Sequence, residues 1–255
     1  MSARLAGLGI VVTRPKRAAE PLAARLAAEG ARTWVFPTLE IEDLAPDAAL
    51  EALLRDLGRF DLAIFVSANA VEKGIAAVRR IAAWPAALRV AAVGEATAEA
   101  LRNSGISEVI SPSQRHDSEA LLALPRLRDV KGQNIIVFRG EGGREKLREG
   151  LEERGASVVY AQCYRRVRPK TDPAAVQAAL ARGDVHAVSA LSGETLGNFV
   201  AMIGAGATHL SQAVLVVPHE AVASHPEARR FARVMVAPPA AEGLIDTLAQ
   251  LRVTP

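Results

Sequence analysis

Tyr164 is the side chain of this sequence best suited to acid chemistry. It lies next to Arg165, in a segment that extends past the expected end of a predicted strand. A phenol has an ordinary pKa of about 10, so at neutral pH it is protonated and can donate a proton or a hydrogen bond. The alternative interpretation is an aromatic side chain packed on a hinge, without a chemical role. The residues alone leave both interpretations open.

Short polar turns supply the candidates for binding. They follow apolar, β-branched runs such as residues 9–13 and 90–93, which predict buried strands. A turn between such a strand and a helix exposes backbone N–H groups, and each helix start favours an anion by about 0.3–1 kcal/mol. The candidate turns contain Thr13, Arg14, Ser67, Ala68, Asn69, Gly94, Thr97, Arg139, Gly140, Ser192 and His219. We expect them to bind a polycarboxylate or a phosphate, whereas capping of the helices alone would explain Ser67, Thr97 and Ser192 equally well. Thr13 can likewise cap the helix that follows it.

Several other kinds of site do not match the sequence. Residues 139–142 lack the spacing of a phosphate-binding P-loop and form a poor dinucleotide fingerprint, and Ser67 lies in no GxSxG turn. The histidines share no metal-ligand spacing, and we predict that His186 is a core side chain. They are His116, His186, His209, His219 and His225. Basic residues gather at two loop-to-helix junctions, where a solvated face is their commoner role. These are Arg14, Lys16, Arg17, Arg139, Arg144 and Lys146.

Composition limits the class of protein. The chain has 255 residues, half of them hydrophobic, so it can form sizeable cores. A formal net charge of +3 and 4% aromatic residues argue against a nucleic-acid-binding surface. The single cysteine, Cys163, excludes an intrachain disulfide and fits a reducing compartment. Neither a secretory signal nor a membrane span is indicated, and we expect a cytoplasmic protein.

An internal repeat predicts the domain organisation. Gly30 corresponds to Gly155 at an offset of 125 positions, and the same offset relates Arg14 to Arg139. Each copy predicts five strands alternating with helices, which is typical of a parallel sheet covered on both faces. The predicted fold class is therefore α/β, with two flavodoxin-like, doubly wound parallel-sheet domains.

Two charged segments predict a connector between these domains. Glu40, Glu42 and Asp43 can face Arg165, Arg166 and Arg168 if the two segments lie side by side and antiparallel, an arrangement in which each opposite-charge pair contributes roughly 0.2–1 kcal/mol. The predicted boundaries are 1–37 with 168–255 for a discontinuous first domain, 38–43 with 163–167 for a two-stranded connector, and 44–162 for the second domain. We expect a ligand cleft between the domains.

The ordered motifs of the chain resemble those of the uroporphyrinogen-III synthase family. They are residues 12–15 (VTRP), 65–71 (FVSANAV), 92–97 (AVGEAT), 118–122 (SEALL), 138–140 (FRG) and 164–165 (YR). Each is weak alone, but their order and spacing together are specific. The resemblance implies two flavodoxin-like domains joined by a two-stranded connector, one domain being discontinuous.

The resemblance also implies an activity. It is the cyclisation of hydroxymethylbilane, a linear polycarboxylate tetrapyrrole, to uroporphyrinogen III with loss of water and inversion of ring D. No cofactor or metal is implied. Tyr164 is similar to the family's tyrosine that assists departure of the hydroxyl. The implied substrate-binding positions are Thr13, Arg14, Ser67, Ala68, Asn69, Gly94, Thr97, Ser118, Arg139, Gly140, Ser192 and His219.

Further expectations concern partners and alternatives. We expect a monomer that makes a transient contact with hydroxymethylbilane synthase and binds neither nucleic acid nor membranes. The main alternative is a non-catalytic, two-lobed sensor or carrier of an anionic small molecule. An α/β enzyme that uses a flavin or nucleotide cofactor is a third hypothesis.

Overall fold

The structure is a computed structural model that describes residues 3–44, 47–113, 117–143, 145–238 and 240–251. His116 and Arg144 lie outside the described residues. The chain divides into two compact units, one made of Met1–Glu40 with Val167–Pro255 and the other of Ile41–Arg166. Within the described ranges, no helix has the length and apolar character that crossing a membrane requires.

Eleven strands and ten α-helices lie in the described part of the chain. The strands are β1 (Gly9–Val12), β2 (Arg32–Val35), β3 (Glu40–Asp43), β4 (Leu62–Phe65), β5 (Arg89–Ala92), β6 (Val109–Ile110), β7 (Asn134–Gly140), β8 (Ser157–Val167), β9 (Ala187–Ser189), β10 (Val214–Val217) and β11 (Arg233–Val236). The helices are α1 (Lys16–Ala28), α2 (Ala48–Arg55), α3 (Ala68–Ile81), α4 (Glu95–Asn103), α5 (Ser118–Ala123), α6 (Lys146–Glu152), α7 (Ala174–Ala181), α8 (Gly193–Ile203), α9 (Glu220–Ala223) and α10 (Ala241–Leu248).

The first unit contains a five-stranded sheet in the order β11-β10-β9-β1-β2. All of its neighbouring strands are parallel. Numbered by their order along the chain, its strands follow the order 2-1-3-4-5, which is the flavodoxin-like arrangement. Val11 packs in one core cluster and Ile10 in another, so helices cover both faces of the sheet.

The second unit contains a six-stranded sheet in the order β3-β8-β7-β4-β5-β6. The strands from β8 to β6 are parallel to their neighbours. In this unit β4, β5 and β6 correspond to the third, fourth and fifth strands of the flavodoxin-like order. The first and second strands of that order, β7 and β8, come later in the chain. Its two faces also have separate cores, because Phe65 packs in one cluster and Ile64 in the other.

The repeat predicted from the sequence is present in the structure. Strands β5 (89–92) and β10 (214–217) occupy ranges one repeat length apart, and Gly30 and Gly155 end equivalent helix-to-strand turns at φ +91° and +82°. A positive φ is accessible to glycine at little cost, which explains why both positions carry it. The prediction of two α/β domains with parallel sheets is confirmed. Helices α2 and α7, which are also about one repeat length apart, were not among the predicted elements.

The two predicted connector segments are β3 and the end of β8, which are hydrogen-bonded neighbours. Arg165 Nε lies 3.0 Å from Glu42 Oε2, so this predicted ion pair is confirmed. The other two acids contact residues outside the two connector segments. Asp43 pairs with Lys73 at 2.7 Å, and a Glu40 oxygen accepts the backbone N–H of Lys16 at 3.1 Å.

Two predictions of helix caps are wrong. Pro15 is the N-cap of α1, and the Thr13 hydroxyl instead donates to the Ser189 carbonyl oxygen at 2.8 Å. Gly94 is the N-cap of α4, so Thr97 lies inside the helix and is buried. Neither threonine is therefore at the N-cap, the position from which a side-chain hydroxyl can accept the free N–H groups of the first helical turn.

Candidate active site

A cavity of about 280 Å³ in the second unit lies at the carboxyl ends of β4 and β7. From β7 the chain continues to β8 on one side, and from β4 it continues to β5 on the other. Their loops therefore diverge, and such switch points are where doubly wound sheets bind ligands. The cavity is lined by Val66, Ser118, Val137, Arg139, Gly140, Glu141, Gly142, Gly143, Leu147, Tyr160, Tyr164 and Arg166.

A larger hollow of about 830 Å³ in the same unit contains none of the candidate residues. It is lined by the start of β5, including Arg89, and by β6, at the amino ends of the strands. Ligand sites of doubly wound sheets lie at the opposite, carboxyl ends. The smaller cavity is therefore the candidate active site.

A β-bulge orients Tyr164. Arg139 of β7 pairs with Gln162, but the next residue, Gly140, pairs with Tyr164, so Cys163 has no counterpart. Successive side chains of a strand point to opposite faces, and one extra residue reverses the faces of those that follow. Tyr160 packs in the core cluster on one face of the sheet, whereas Tyr164 packs in the other, together with Cys163. The bulge thereby moves Tyr164 to the face covered by α3.

The hydroxyl of Tyr164 is held by the N-cap of α3. It lies 3.0 Å from Ser67 Oγ, which also accepts the backbone N–H of Ala70 at 3.1 Å. The Tyr164 side chain is only 1% exposed, although it forms part of the cavity wall. Either hydroxyl can donate. When Ser67 donates to the phenol oxygen, the proton of Tyr164 is available to another acceptor.

This double role of Ser67 predicts a separation of stability from activity. Ser67→Ala removes a cap and is expected to lower the free energy of unfolding by about 1 kcal/mol, measured by urea denaturation. It also releases the Tyr164 hydroxyl, so turnover should fall more than the loss of folded protein explains. Asp47 caps α2 in the same unit by accepting the Leu50 N–H, and Asp47→Ala is the control. Equal activity in the two variants would contradict a role for Ser67 in holding Tyr164.

Arg139 is the buried cation of the cavity wall, at 6% exposure. Its Nη1 donates to Glu145 Oε1 at 3.1 Å, and its Nη2 donates to the Gly142 carbonyl oxygen. The guanidinium carbon also lies 4.3 Å from the centroid of the Tyr160 ring. A charge at this depth requires such partners because removing it from water is costly. Arg139 is thus positioned to bind a carboxylate and is already paired with one.

Tyr160 completes this network. Its hydroxyl donates to Glu145 Oε2 at 2.8 Å. Burial, followed by the hydrogen bond to Glu145, raises the pKa of Tyr160 to about 12. The hydrogen bond from Tyr160, with the nearby charge of Arg139, lowers the pKa of the Glu145 carboxyl below its ordinary value. At neutral pH the network therefore contains an ionised glutamate and a protonated phenol.

The other predicted positions of the second unit lie at the starts of helices. Ser118 is the first residue of α5 and lines the cavity, whereas the N-cap of that helix is Asp117. Ala68 and Asn69 form the first turn of α3, after Ser67. Gly94 is buried just after the end of β5. Of the predicted residues, the cavity brings together Ser118, Arg139, Gly140 and Tyr164, with Ser67 hydrogen-bonded to the last.

The remaining predicted positions belong to the first unit. Arg14 follows β1 and lines a small pocket of about 10 Å³ at the carboxyl ends of β9, β10 and β11. Ser192 caps α8 in a capping box with Thr195, and exposed His219 is the N-cap of α9. Thr13 is fully buried. The assignment of these residues to substrate binding stays a prediction.

Two residues of this network were not predicted as site residues, namely Glu145 and Tyr160. Tyr160 is inside a strand, and Glu145 precedes α6 with no motif around it. Their relation to Arg139 depends on side-chain geometry across the sheet and the adjoining loop. His186 was predicted to be a core side chain but is only partly buried. Its Nδ1 accepts the Gly9 backbone N–H at 2.9 Å, so the ring is hydrogen-bonded within the fold.

Comparison with known proteins identifies relatives over most of the chain. The model of the family described as uroporphyrinogen-III synthase HemD matches residues 20–246. The uroporphyrinogen-III synthase of Salmonella typhimurium is 38% identical over 168 residues, which are 66% of this chain and 68% of that protein. That of Escherichia coli is 34% identical over 190 residues, or 74% and 77% of the two chains.

Solved structures show the same fold. A mutant uroporphyrinogen III synthase from the extremely thermophilic bacterium Thermus thermophilus aligns with a TM-score of 0.66 at 19% identity, covering 96% of this chain and 100% of the other. The uroporphyrinogen-III synthetase from Helicobacter pylori aligns with a TM-score of 0.61 at 15% identity and the same coverage. Together with the family match and the sequence relatives, these findings show that the chain belongs to the uroporphyrinogen-III synthase family.

Proposed function

We propose that this chain cyclises hydroxymethylbilane to uroporphyrinogen III, with loss of water and inversion of ring D. The observation that carries the proposal is the family match over residues 20–246. The structure adds a phenol, Tyr164, and a buried cation, Arg139, in the wall of one cavity at a switch point. At about 280 Å³ the cavity lies just below the roughly 300–1,000 Å³ of typical small-molecule sites, so it is suited to one end of the tetrapyrrole.

Tyr164 acts as the general acid in this proposal. Its proton passes to the departing hydroxyl, directly or through Ser67, and the hydroxyl leaves as water. The resulting azafulvene cation is attacked by the substituted carbon of ring D, giving a spiro intermediate that rearranges to the type III macrocycle. The macrocycle then loses one proton, which restores the phenol. The net change is the loss of one water, and Ser67 stabilises the transient phenolate by a hydrogen bond.

Selection of the type III isomer depends on how the bound bilane is positioned. The chain must hold the flexible bilane so that the substituted carbon of ring D, and not its free position, reaches the cation. Such positioning can lower a barrier by up to about 7–11 kcal/mol. Arg139 and the helix starts near Ser118 and Ser67 provide fixed positive partners for acetate and propionate groups. This assigns the reaction to the cyclising hydro-lyases, without a cofactor.

We propose a monomer that works in the cytoplasm, where the single thiol of Cys163 stays reduced, and that receives its substrate in a transient contact with hydroxymethylbilane synthase. Light scattering after size exclusion tests the oligomeric state. A stable dimer would contradict the monomer without affecting the proposed reaction.

The product assay tests the function. Purified protein is incubated with freshly generated hydroxymethylbilane, the products are oxidised, and the porphyrin isomers are separated by chromatography. We expect type III to exceed type I severalfold, against a control without protein that yields type I. Type I alone would refute the proposal and favour the alternative of a non-catalytic carrier, which would bind the bilane without turning it over. A bound flavin or nucleotide in the mass spectrum would favour a cofactor-dependent enzyme.

A further inference from the structure

Glu145 occupies the carboxylate-binding side of Arg139. The Arg139 side chain is 7% exposed, whereas that of its partner Glu145 is 48% exposed. The carboxylate therefore reaches into the cavity wall from a solvated position at the start of α6. A guanidinium presents a planar donor set that suits carboxylates, and the same donors that bind Glu145 can bind a carboxylate of a ligand.

The local backbone allows the Glu145 side chain to leave. Glu145 is the N-cap residue of α6, but its side chain makes no capping hydrogen bond, so the helix does not depend on the carboxylate. Gly142 and Gly143 are at φ +70° and +103°, which places two conformationally permissive residues in the same loop. Rotation of the side chain toward solvent would cost the bonds to Arg139 and Tyr160 and no secondary structure.

Within the part of the chain that the structure describes, the repeat-equivalent arginine is paired with no carboxylate. Arg14 corresponds to Arg139 at the offset of 125 and also lies at the end of the first strand of its flavodoxin-like order. Its Nε is buried and has no hydrogen-bond partner among the described residues, and burial lowers its pKa. An acid paired with the arginine is therefore not a requirement of this position in the fold. Glu145 is a specific feature of the cavity in the second unit.

We propose that Glu145 is a built-in carboxylate that holds Arg139 in the unliganded cavity and is displaced when a carboxylate of the substrate binds. The identity of that ligand rests on the proposed function. The exchange replaces one carboxylate by another, so Arg139 never carries an uncompensated buried charge. A ligand without a carboxylate gains nothing from Arg139, because it must displace Glu145 and offers no ion pair in return. Glu145 thus sets the specificity of the cavity for acidic tetrapyrroles.

The affinity for uroporphyrin III, the oxidised octacarboxylate product, tests this proposal. Glu145→Gln keeps the size of the side chain and removes the charge that competes with the ligand. We expect its Kd to be about five- to tenfold lower than that of the wild type, measured by porphyrin fluorescence at about 0.15 M salt, where the Debye length is roughly 8 Å. Glu149→Gln, one turn further along α6, makes the same change in net charge away from Arg139 and should alter Kd less than about twofold.

A double-variant cycle locates the effect at Arg139. In an Arg139→Lys background, Glu145→Gln should lower Kd less than about twofold, because the bidentate site for which the two carboxylates compete is gone. Equal Kd values for wild type and Glu145→Gln, equal gains in Glu145→Gln and Glu149→Gln, or no binding by any variant would overturn the proposal. The measurement needs no turnover, so it can fail while the isomer assay succeeds, and the reverse also holds.

Discussion

Tyr164→Phe is expected to form uroporphyrinogen III about 100-fold more slowly than the wild type. General acid catalysis by a positioned side chain contributes roughly 10²–10⁴-fold, and a water molecule can replace part of it, so the lower end applies. The ring remains, and only the hydrogen bond to Ser67 is lost. A net loss of about 1 kcal/mol of stability follows from that bond. The measurement is the initial rate of type III formation from hydroxymethylbilane.

Two further readouts separate an acid from a packed aromatic side chain. The affinity for uroporphyrin III should change less than about threefold, because the phenol acts on the departing hydroxyl and not on the carboxylates. Far-UV circular dichroism and thermal unfolding should show a folded chain. An unchanged rate in a folded variant would favour the alternative that Tyr164 serves only packing, and the acid would have to come from bound water.

The repeat made the fold predictable from sequence. In a parallel sheet each strand is followed by a helix, so the two copies of the repeat contain the same order of strands and helices. One offset of 125 positions therefore located both the β5 and β10 strands and the turns at Gly30 and Gly155. The loops at the carboxyl ends of the strands followed from the same reasoning. The prediction that Ser67 and Ser192 cap helices is confirmed, because both accept the backbone N–H three residues later.

The geometry around Tyr164 and Arg139 was not predictable in the same way. Regular alternation from Tyr160 would place Tyr164 on the same face of the sheet, and nothing in the residues 161–164 marks Cys163 as the extra residue of a bulge. The pairing of Arg139 with Glu145 likewise depends on how the loop after β7 folds back over the strand. Sequence periodicity describes regular elements, whereas a bulge and a loop are departures from it.

Gly140→Ala is expected to cost both stability and turnover because Gly140 leaves room for the Tyr164 ring. A Cβ at position 140 would lie 2.6 Å from Cε2 and 2.8 Å from Cζ of Tyr164. Carbon atoms do not approach so closely, and the ring is 1% exposed, so either the ring or the strand must shift. Overpacking of this kind costs typically about 1–3 kcal/mol. We expect a loss in this range by urea denaturation, with a rate at least about tenfold lower.

Two comparisons assign these losses to the Tyr164 ring. An added Cβ at Gly58 meets no atom within 4 Å, so Gly58→Ala should leave stability within about 0.5 kcal/mol of the wild type. Tyr164→Leu removes the ring atoms nearest to position 140. In that background Gly140→Ala should lower the free energy of unfolding by less than about 1 kcal/mol, because the effects of substitutions at residues in contact are not additive. A Gly140→Ala penalty of the same size with and without the ring would place its cause in the backbone of the bulge, and Gly140 would then act on β8 and not on the phenol.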